Sequence, residues 1–371
     1  MKVFISISCL VFYLFSLTYS QTYVYPSVNA QVETPTAVNP TNSNNLIAGA
    51  ILQQPGLTNG IGCYFSTNGG NSWTAYENFT GPDNTSAGDP VVVFDPDGIA
   101  YFFYQVKTEG AFYMRKSTDG GQTWEPSLTS TGTKIIYVES PGIIDRPSFA
   151  ISPVRNNNGS FNIYVACTSY SGGSEYITLY INDTGGINFY SIYKVKPPQN
   201  YGYSGTSVAV GPSGELFLSW GQELIPKIPV TSIIVQRSTD QGRTFNNQIT
   251  VNINQIGQYN GNDNNYYVKQ FSIRADSYPR LFVDQSPNHP GSIYAVWAGC
   301  SVQYGLTSNV YMLKGTVTNG QFSWGNVSTI ASESSLQWCP AVTVNNDGVV
   351  SISYYSSDTS PTGLIYTNIP R

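Results

Sequence analysis

Ser117-Thr118-Asp119-Gly120-Gly121-Gln122-Thr123-Trp124 follows an apolar run, Phe112-Tyr113-Met114, and has the residues of a tight hairpin turn. The Asp accepts bonds from backbone N–H groups, Gly supplies positive φ, and the closing aromatic packs under the next strand. The pattern recurs as Ser66-Thr67-Asn68-Gly69-Gly70-Asn71-Ser72-Trp73 after Tyr64-Phe65, and as Ser238-Thr239-Asp240-Gln241-Gly242-Arg243-Thr244-Phe245 after Ile233-Ile234-Val235. Asn68, Asp119 and Asp240 therefore read as turn residues that hold the fold. Trp73, Trp124 and Phe245 are their aromatic staples.

A second repeat lies upstream of each turn. Its fullest form is Asp89-Pro90-Val91-Val92-Val93-Phe94-Asp95-Pro96-Asp97-Gly98, followed by Ile99-Ala100-Tyr101-Phe102-Phe103-Tyr104: a strand, a Pro/Asp/Gly turn and a second strand. Related copies open at Glu33-Thr34-Pro35, Asp145-Arg146-Pro147, Gly205-Thr206-Ser207, Tyr278-Pro279-Arg280 and Cys339-Pro340-Ala341. Aligned on Thr34, Pro90, Pro147, Thr206, Pro279 and Pro340, the copies are separated by 56, 57, 59, 73 and 61 residues. A regular period of that size suits four short strands per unit. Six such units make an all-β, six-bladed propeller with four antiparallel strands per blade. In such a meander the Asp97-Gly98 type turns and the box turns share the bottom rim, and the other connections share the top. The sixth unit ends one strand short, at Leu364-Ile365-Tyr366-Thr367, so Thr22-Tyr23-Val24-Tyr25 is expected beside it as the outer strand of the last blade.

Composition agrees with that architecture. The chain has 371 residues, 28 of them Tyr, and only 11% are charged. At a net charge of −5 and without a basic stripe, it does not suit a nucleic-acid partner. Met1 to Ser20 reads as a secretory signal, with Lys2, an apolar run from Val3 to Leu17, and a small-residue site before Gln21. The expectation is an exported, extracellular, monomeric chain that does not span a membrane, with one domain over 21–371. Five sequons fit export, at Asn78, Asn84, Asn158, Asn182 and Asn326. Four cysteines remain after the signal, Cys63, Cys167, Cys300 and Cys339, which allows up to two disulfides in three connectivities. Their spacing matches no zinc site, and His289 is the single histidine, so no metal, cofactor or Ser-His-Asp triad is expected.

The three turns resemble the Asp-box, or bacterial neuraminidase, repeat of sialidases and other propellers, and the resemblance covers essentially the whole mature chain. It implies a ligand at the top mouth, near the starts of the inner strands, where Glu33, Asp89, Asp145, Arg146 and Arg280 fall. Asp89 and Asp145 are the candidate acid/base groups for glycoside hydrolysis. Arg146, Arg274 and Arg280 are the arginines that could hold a substrate carboxylate through charge-assisted bonds. The Phe/Tyr-Arg-Ile-Pro motif typical of sialidases is missing; Ile144-Asp145-Arg146-Pro147 is the nearest string. The family also requires a Tyr nucleophile paired with Glu, which spacing alone does not single out. The insertion from Val251 to Ser277 should overhang the mouth, where Tyr259, Tyr266 and Tyr267 could stack on sugars.

The expected partner is an extracellular glycan or glycoprotein, and the missing motif favours binding over sialic-acid hydrolysis. An active exo-glycosidase, on a sialoside or a neutral glycan, and a protein-interaction propeller are the alternatives. Blade geography places Cys300 and Cys339 toward the top of adjacent blades and pairs them as the expected disulfide, leaving Cys63 and Cys167 as buried thiols.

Overall fold

The computed structural model describes residues 24–53, 59–79, 85–137, 143–171, 174–225, 228–256, 258–260, 265–268, 273–286, 290–300, 307–318, 321–332, 336–357 and 364–369. The alternation of β-branched or aromatic runs with Gly, Pro, Asn and Asp turns emerges as successive antiparallel sheets. In the first, Ala30–Val32 and Thr36–Asn39 both pair with Asn42–Gln53, followed by Gly60–Ser66 and Thr74–Phe79. The second runs Gly88–Phe94, Ala100–Val106, Ala111–Ser117, Thr133–Tyr137, and the third Ile143–Arg155, Phe161–Ser171, Ser174–Asn182, Tyr190–Val195. The fourth is Tyr201–Val210, Leu216–Leu224, Ile228–Ser238, Asn246–Asn252, and the fifth Arg280–Val283, Ile293–Gly299, Asn309–Thr318, Gln321–Ala331. Gln337–Val344, Val350–Ser356 and Leu364–Ile369 form the sixth. The long insertion builds a small sheet of its own from Gln258–Asn260, Asn265–Val268 and Ile273–Arg274.

The core is a series of seams between neighbouring sheets. Ile47, Cys63, Phe102 and Trp124 fill the first seam, and Leu179, Val208 and Trp220 the third. Between them, Phe103 and Phe149 stack with ring centroids 3.9 Å apart. Burying one such side chain is worth about 1.5–3 kcal/mol, so each seam is a substantial adhesive. Arg115 is buried between the first two sheets. It donates to the Pro126 carbonyl at 2.8 Å and to the carbonyls of Ser127 and Ser130, and its guanidinium lies 5.2 Å from the Phe79 ring centre. It is a structural cation.

The box turns share one hydrogen-bond pattern. Ser117 Oγ donates to Asp119 Oδ1 at 2.8 Å, and the Thr123 N–H and hydroxyl donate to the same carboxylate at 2.8 and 2.6 Å. The Asp240 turn repeats these bonds at 2.7, 2.9 and 2.6 Å. Asn68 keeps the acceptor and donates its Nδ2 to Ser72 Oγ at 2.8 Å instead. The staple points backward rather than under the next strand. Gly121, at φ +94, seats on Ile47, and Trp124 lies edge-on to Phe102 among residues of the first sheet.

Three sequence expectations change here. Of Thr22 to Tyr25, only Val24 and Tyr25 are described, and neither is in a strand. The Tyr25 ring packs 5.9 Å from that of Tyr64, on the first sheet rather than along the sixth. All four described cysteines are thiols, so the Cys300–Cys339 crosslink is not formed. Cys300 is buried, its N–H bonded to the Asn254 carbonyl at 2.9 Å, while Cys339 is turned outward in a left-handed backbone conformation. Cys63 and Cys167 are buried, as expected. Asn182 is fully buried and spends its Nδ2 on the Gly186 carbonyl inside the turn of the third sheet, so it cannot carry a glycan. Asn158 and Asn326 are exposed; Asn84 and the side chain of Asn78 lie outside the described residues. Among the described residues no helix is long and apolar enough to cross a membrane.

Candidate functional site

The inner strands lose register at one repeated place. The breaks fall between Gly88 and Val91, Asp145 and Ser148, Ser204 and Ser207, and Trp338 and Ala341, and in the first sheet the strand parts completely between Val32 and Thr36. A left-handed residue sits in each break: Glu33 (φ 53), Asp89 (φ 46), Arg146 (φ 52), Gly205 (φ 68) and Cys339 (φ 49). A bulge with one such residue re-aims its side chain out of the sheet. Left-handed geometry costs a non-glycine on the order of 1–3 kcal/mol. The fifth unit carries Tyr278 at this position.

The re-aimed groups meet. The Arg146 N–H donates to Asp89 Oδ2 at 3.3 Å. Burial raises the Asp89 carboxyl, and the Glu33 charge, a hydrogen bond shared with Glu33, and Asp145 push it further, to about 7, against the Arg146 N–H. Asp89 thus holds a proton close to neutrality. The Arg146 guanidinium bonds Asp276 at 3.1 Å, stands 3.9 Å from Asp145, and lies 4.5 Å from the centre of the Tyr278 ring. Burial opposes its charge, but Tyr278, Asp276, Asp145 and Glu223 outweigh that and fix it as a cation. The Thr206 hydroxyl donates to the Arg146 carbonyl at 3.0 Å and holds the bulge from behind.

Tyr278 is buried, and its hydroxyl donates to Glu223 Oε1 at 2.5 Å. Burial drives its pKa well above the ordinary tyrosine value, with Arg146 opposing and Glu223 and Asp276 adding to the rise, so the hydroxyl is neutral. Glycines shape its bed. A Cβ on Gly205 would lie 2.0 Å from Tyr278 Cγ, and one on Gly221 would lie 2.8 Å from Cδ1. Gly205 is therefore the one left-handed position of this ring that gives its space to a neighbour's side chain.

Of the sequence candidates, Glu33, Asp89, Asp145 and Arg146 come together at this mouth. Arg280 is exposed at the start of its strand, two residues past Tyr278, while Arg146 carries the ion pairs described here. Arg274, Tyr259, Tyr266 and Tyr267 belong to the small sheet of the insertion, and their side chains lie outside the described residues. The base of the insertion is anchored, with Ile256 and Ala275 buried against Cys300 and Trp338. Sequence reading missed Tyr278, Glu223 and Asp276. The signal for Tyr278 was available, because it occupies the same repeat position as Glu33, Asp89 and Arg146. Among the described residues no cluster of His, Cys, Asp or Glu is arranged to hold a metal ion. The chemistry on offer is a proton-bearing carboxyl, a second carboxylate held by a tyrosine hydroxyl, and an arginine whose backbone N–H reaches the first and whose guanidinium lies over that tyrosine.

Successive antiparallel sheets, mostly four-stranded, give the chain an all-β fold of the β-propeller type. Solved structures share it at low identity. A leech intramolecular trans-sialidase, complexed with 2,7-anhydro-Neu5Ac, aligns over 95% of this chain and 70% of its own, at 12% identity and a TM-score of 0.59. An α-L-arabinanase of Penicillium chrysogenum, complexed with arabinobiose, aligns over 93% and 95% at 11% identity and a TM-score of 0.57. The intramolecular trans-sialidase of Ruminococcus gnavus aligns over 90% and 93% at 12% identity and a TM-score of 0.57. No family model and no curated protein matches the chain.

Proposed function

We propose that the chain is an exported glycoside hydrolase acting on an extracellular neutral glycan, built on a six-bladed propeller and working as a monomer. Asp89 is the general acid that protonates the leaving oxygen. Glu223, held by Tyr278, is the second carboxylate, serving as nucleophile or as base to water according to the separation of the two carboxyls. The observation that carries this reading is the Asp89 carboxyl, kept protonated near neutrality by burial and by Glu33, in contact with the residue that stacks on Tyr278. Structural relatives that include sialidases and arabinanases support glycan processing as the general class.

The neutral substrate follows from Arg146. Its guanidinium is already engaged by Asp276 and Asp145, so this arginine has its charge met before a ligand arrives. Glu33 and Glu223 would repel an acidic sugar.

The test is a panel of fluorogenic aryl glycosides, neutral ones beside a sialoside, read together with a glycan-binding array. Turnover should appear on a neutral glycoside and decline as pH rises through about 7, as Asp89 loses its proton. Turnover of the sialoside alone would reverse the substrate class. Binding without any turnover would make the mouth a lectin-like site.

A further inference from the structure

Tyr170 is partly open, with 37% of its surface exposed. It lies near the end of the second strand of the third sheet, opposite Ile143 on one side and Glu175 on the other. Its hydroxyl donates to Glu175 Oε1 at 2.9 Å, and Glu175 Oε2 accepts the Tyr203 N–H of the fourth sheet at 3.2 Å. The ring is thereby tied across the seam between two sheets. Gly202 leaves room for that tie, since a Cβ there would fall 2.8 Å from Glu175 Oε2. Gly202 in turn pairs with Glu223, the carboxylate that holds Tyr278. Burial first, then the charges of Glu175, Asp145 and Glu223, raise the Tyr170 hydroxyl above its ordinary range, so the ring lies within the field of the mouth carboxylates.

An exposed aromatic whose tilt is fixed at its hydroxyl offers a flat apolar face to a sugar ring. We propose that Tyr170 is the stacking platform for the second sugar of the glycan, the one joined through the bond cleaved at the mouth. The proposal rests on the glycan reading of that mouth and adds a preference for oligosaccharides over single sugars. Tyr278 is too buried for such a role, whereas Tyr170 keeps about a third of its surface open and is tied to the strand that carries Tyr203 through Glu175.

The experiment is calorimetric titration of the full chain and its Tyr170→Leu, Tyr170→Phe and Gly202→Ala variants. The probes are neutral oligosaccharides of two or more residues and the corresponding methyl monosaccharides. Tyr170→Leu should weaken oligosaccharide binding roughly five- to tenfold and leave the monosaccharides unchanged. Tyr170→Phe keeps the ring and should lose about two- to threefold, and Gly202→Ala, which displaces Glu175, should behave like it. Oligosaccharide binding unchanged in Tyr170→Leu would overturn the platform and leave the mouth standing, and so would an equal loss for both probe classes. Failure of the parent protein to bind any probe would overturn the glycan reading and the platform together.

Discussion

Arg146 lies with its guanidinium 4.5 Å from the ring centre of Tyr278, a residue 132 positions further along the chain. The contact joins the third sheet to the entry of the fifth. On its other side Arg146 reaches Asp89 of the second sheet through its own N–H. One strained residue therefore touches both proposed halves of the chemistry, and every substitution around it should be read as positional before it is read as ionic. Arg146→Lys keeps the charge but loses the planar contact. It should retain the fold and reduce turnover more than tenfold, as read by thermal melts beside kcat.

The bed of Tyr278 is equally specific. Gly205→Ala must displace the ring, with its Cβ 2.0 Å from Cγ, at a backbone φ of +68 that favours glycine. A loss of about 1–3 kcal/mol is expected from overpacking alone. Chemical denaturation measures it, and a ligand titration on the folded fraction should show weakened binding.

The box turns act on stability and not on the site. Asp119→Ala removes the acceptor for the Ser117 and Thr123 bonds and should cost about 1–2 kcal/mol, while Asp119→Asn, which copies the natural Asn68 turn, should cost less. Burial works against ionisation of Asp240, but the Thr244 and Ser238 bonds outweigh it and hold that carboxyl down at about 2. Because the folded value is depressed, this contribution is present above the unfolded range near 4 and is lost as pH falls toward 2. Melts of the parent chain and Asp240→Asn should converge over that interval, with ligand affinity at neutral pH unaltered.

Asp89 carries the opposite sign. Its folded value is raised from 3.8 to about 7, so between those limits the folded state binds more protons than the unfolded chain, and stability falls as pH rises. Asp89→Asn should flatten the dependence of melting temperature on pH across that window. An unchanged slope would remove Asp89 from the role of proton holder.

Sequence alone carried the repeat, the turns and half of the mouth. Asn68, Asp119 and Asp240 were legible because a turn is set by a few contiguous residues. Glu33, Asp89 and Arg146 were legible as charged residues at one repeat position, and the left-handed bulge explains why that position faces the mouth. Tyr278 shares the position but bears no formal charge, so its residue type does not mark it as part of an ionic site. Glu223 was not legible at all, because its partner lies 55 residues away and the meeting depends on how two sheets pack. Cys339 shows the limit of blade geography. Adjacency of strands placed it near Cys300, but the bulge turned its side chain outward.

The most direct test of the account is kcat on the neutral aryl glycoside that the parent turns over, measured for Glu223→Gln and Tyr278→Phe, with melting temperatures as a control. With Glu223 as the working carboxylate and Tyr278 as the residue that orients it, Glu223→Gln should lose about 100- to 10,000-fold, a typical acid/base contribution. Tyr278→Phe should lose far less, on the order of tenfold for one orienting hydrogen bond. If Glu223→Gln retains parental kcat with its fold intact, the chemistry does not occur at this mouth and the central claim is contradicted.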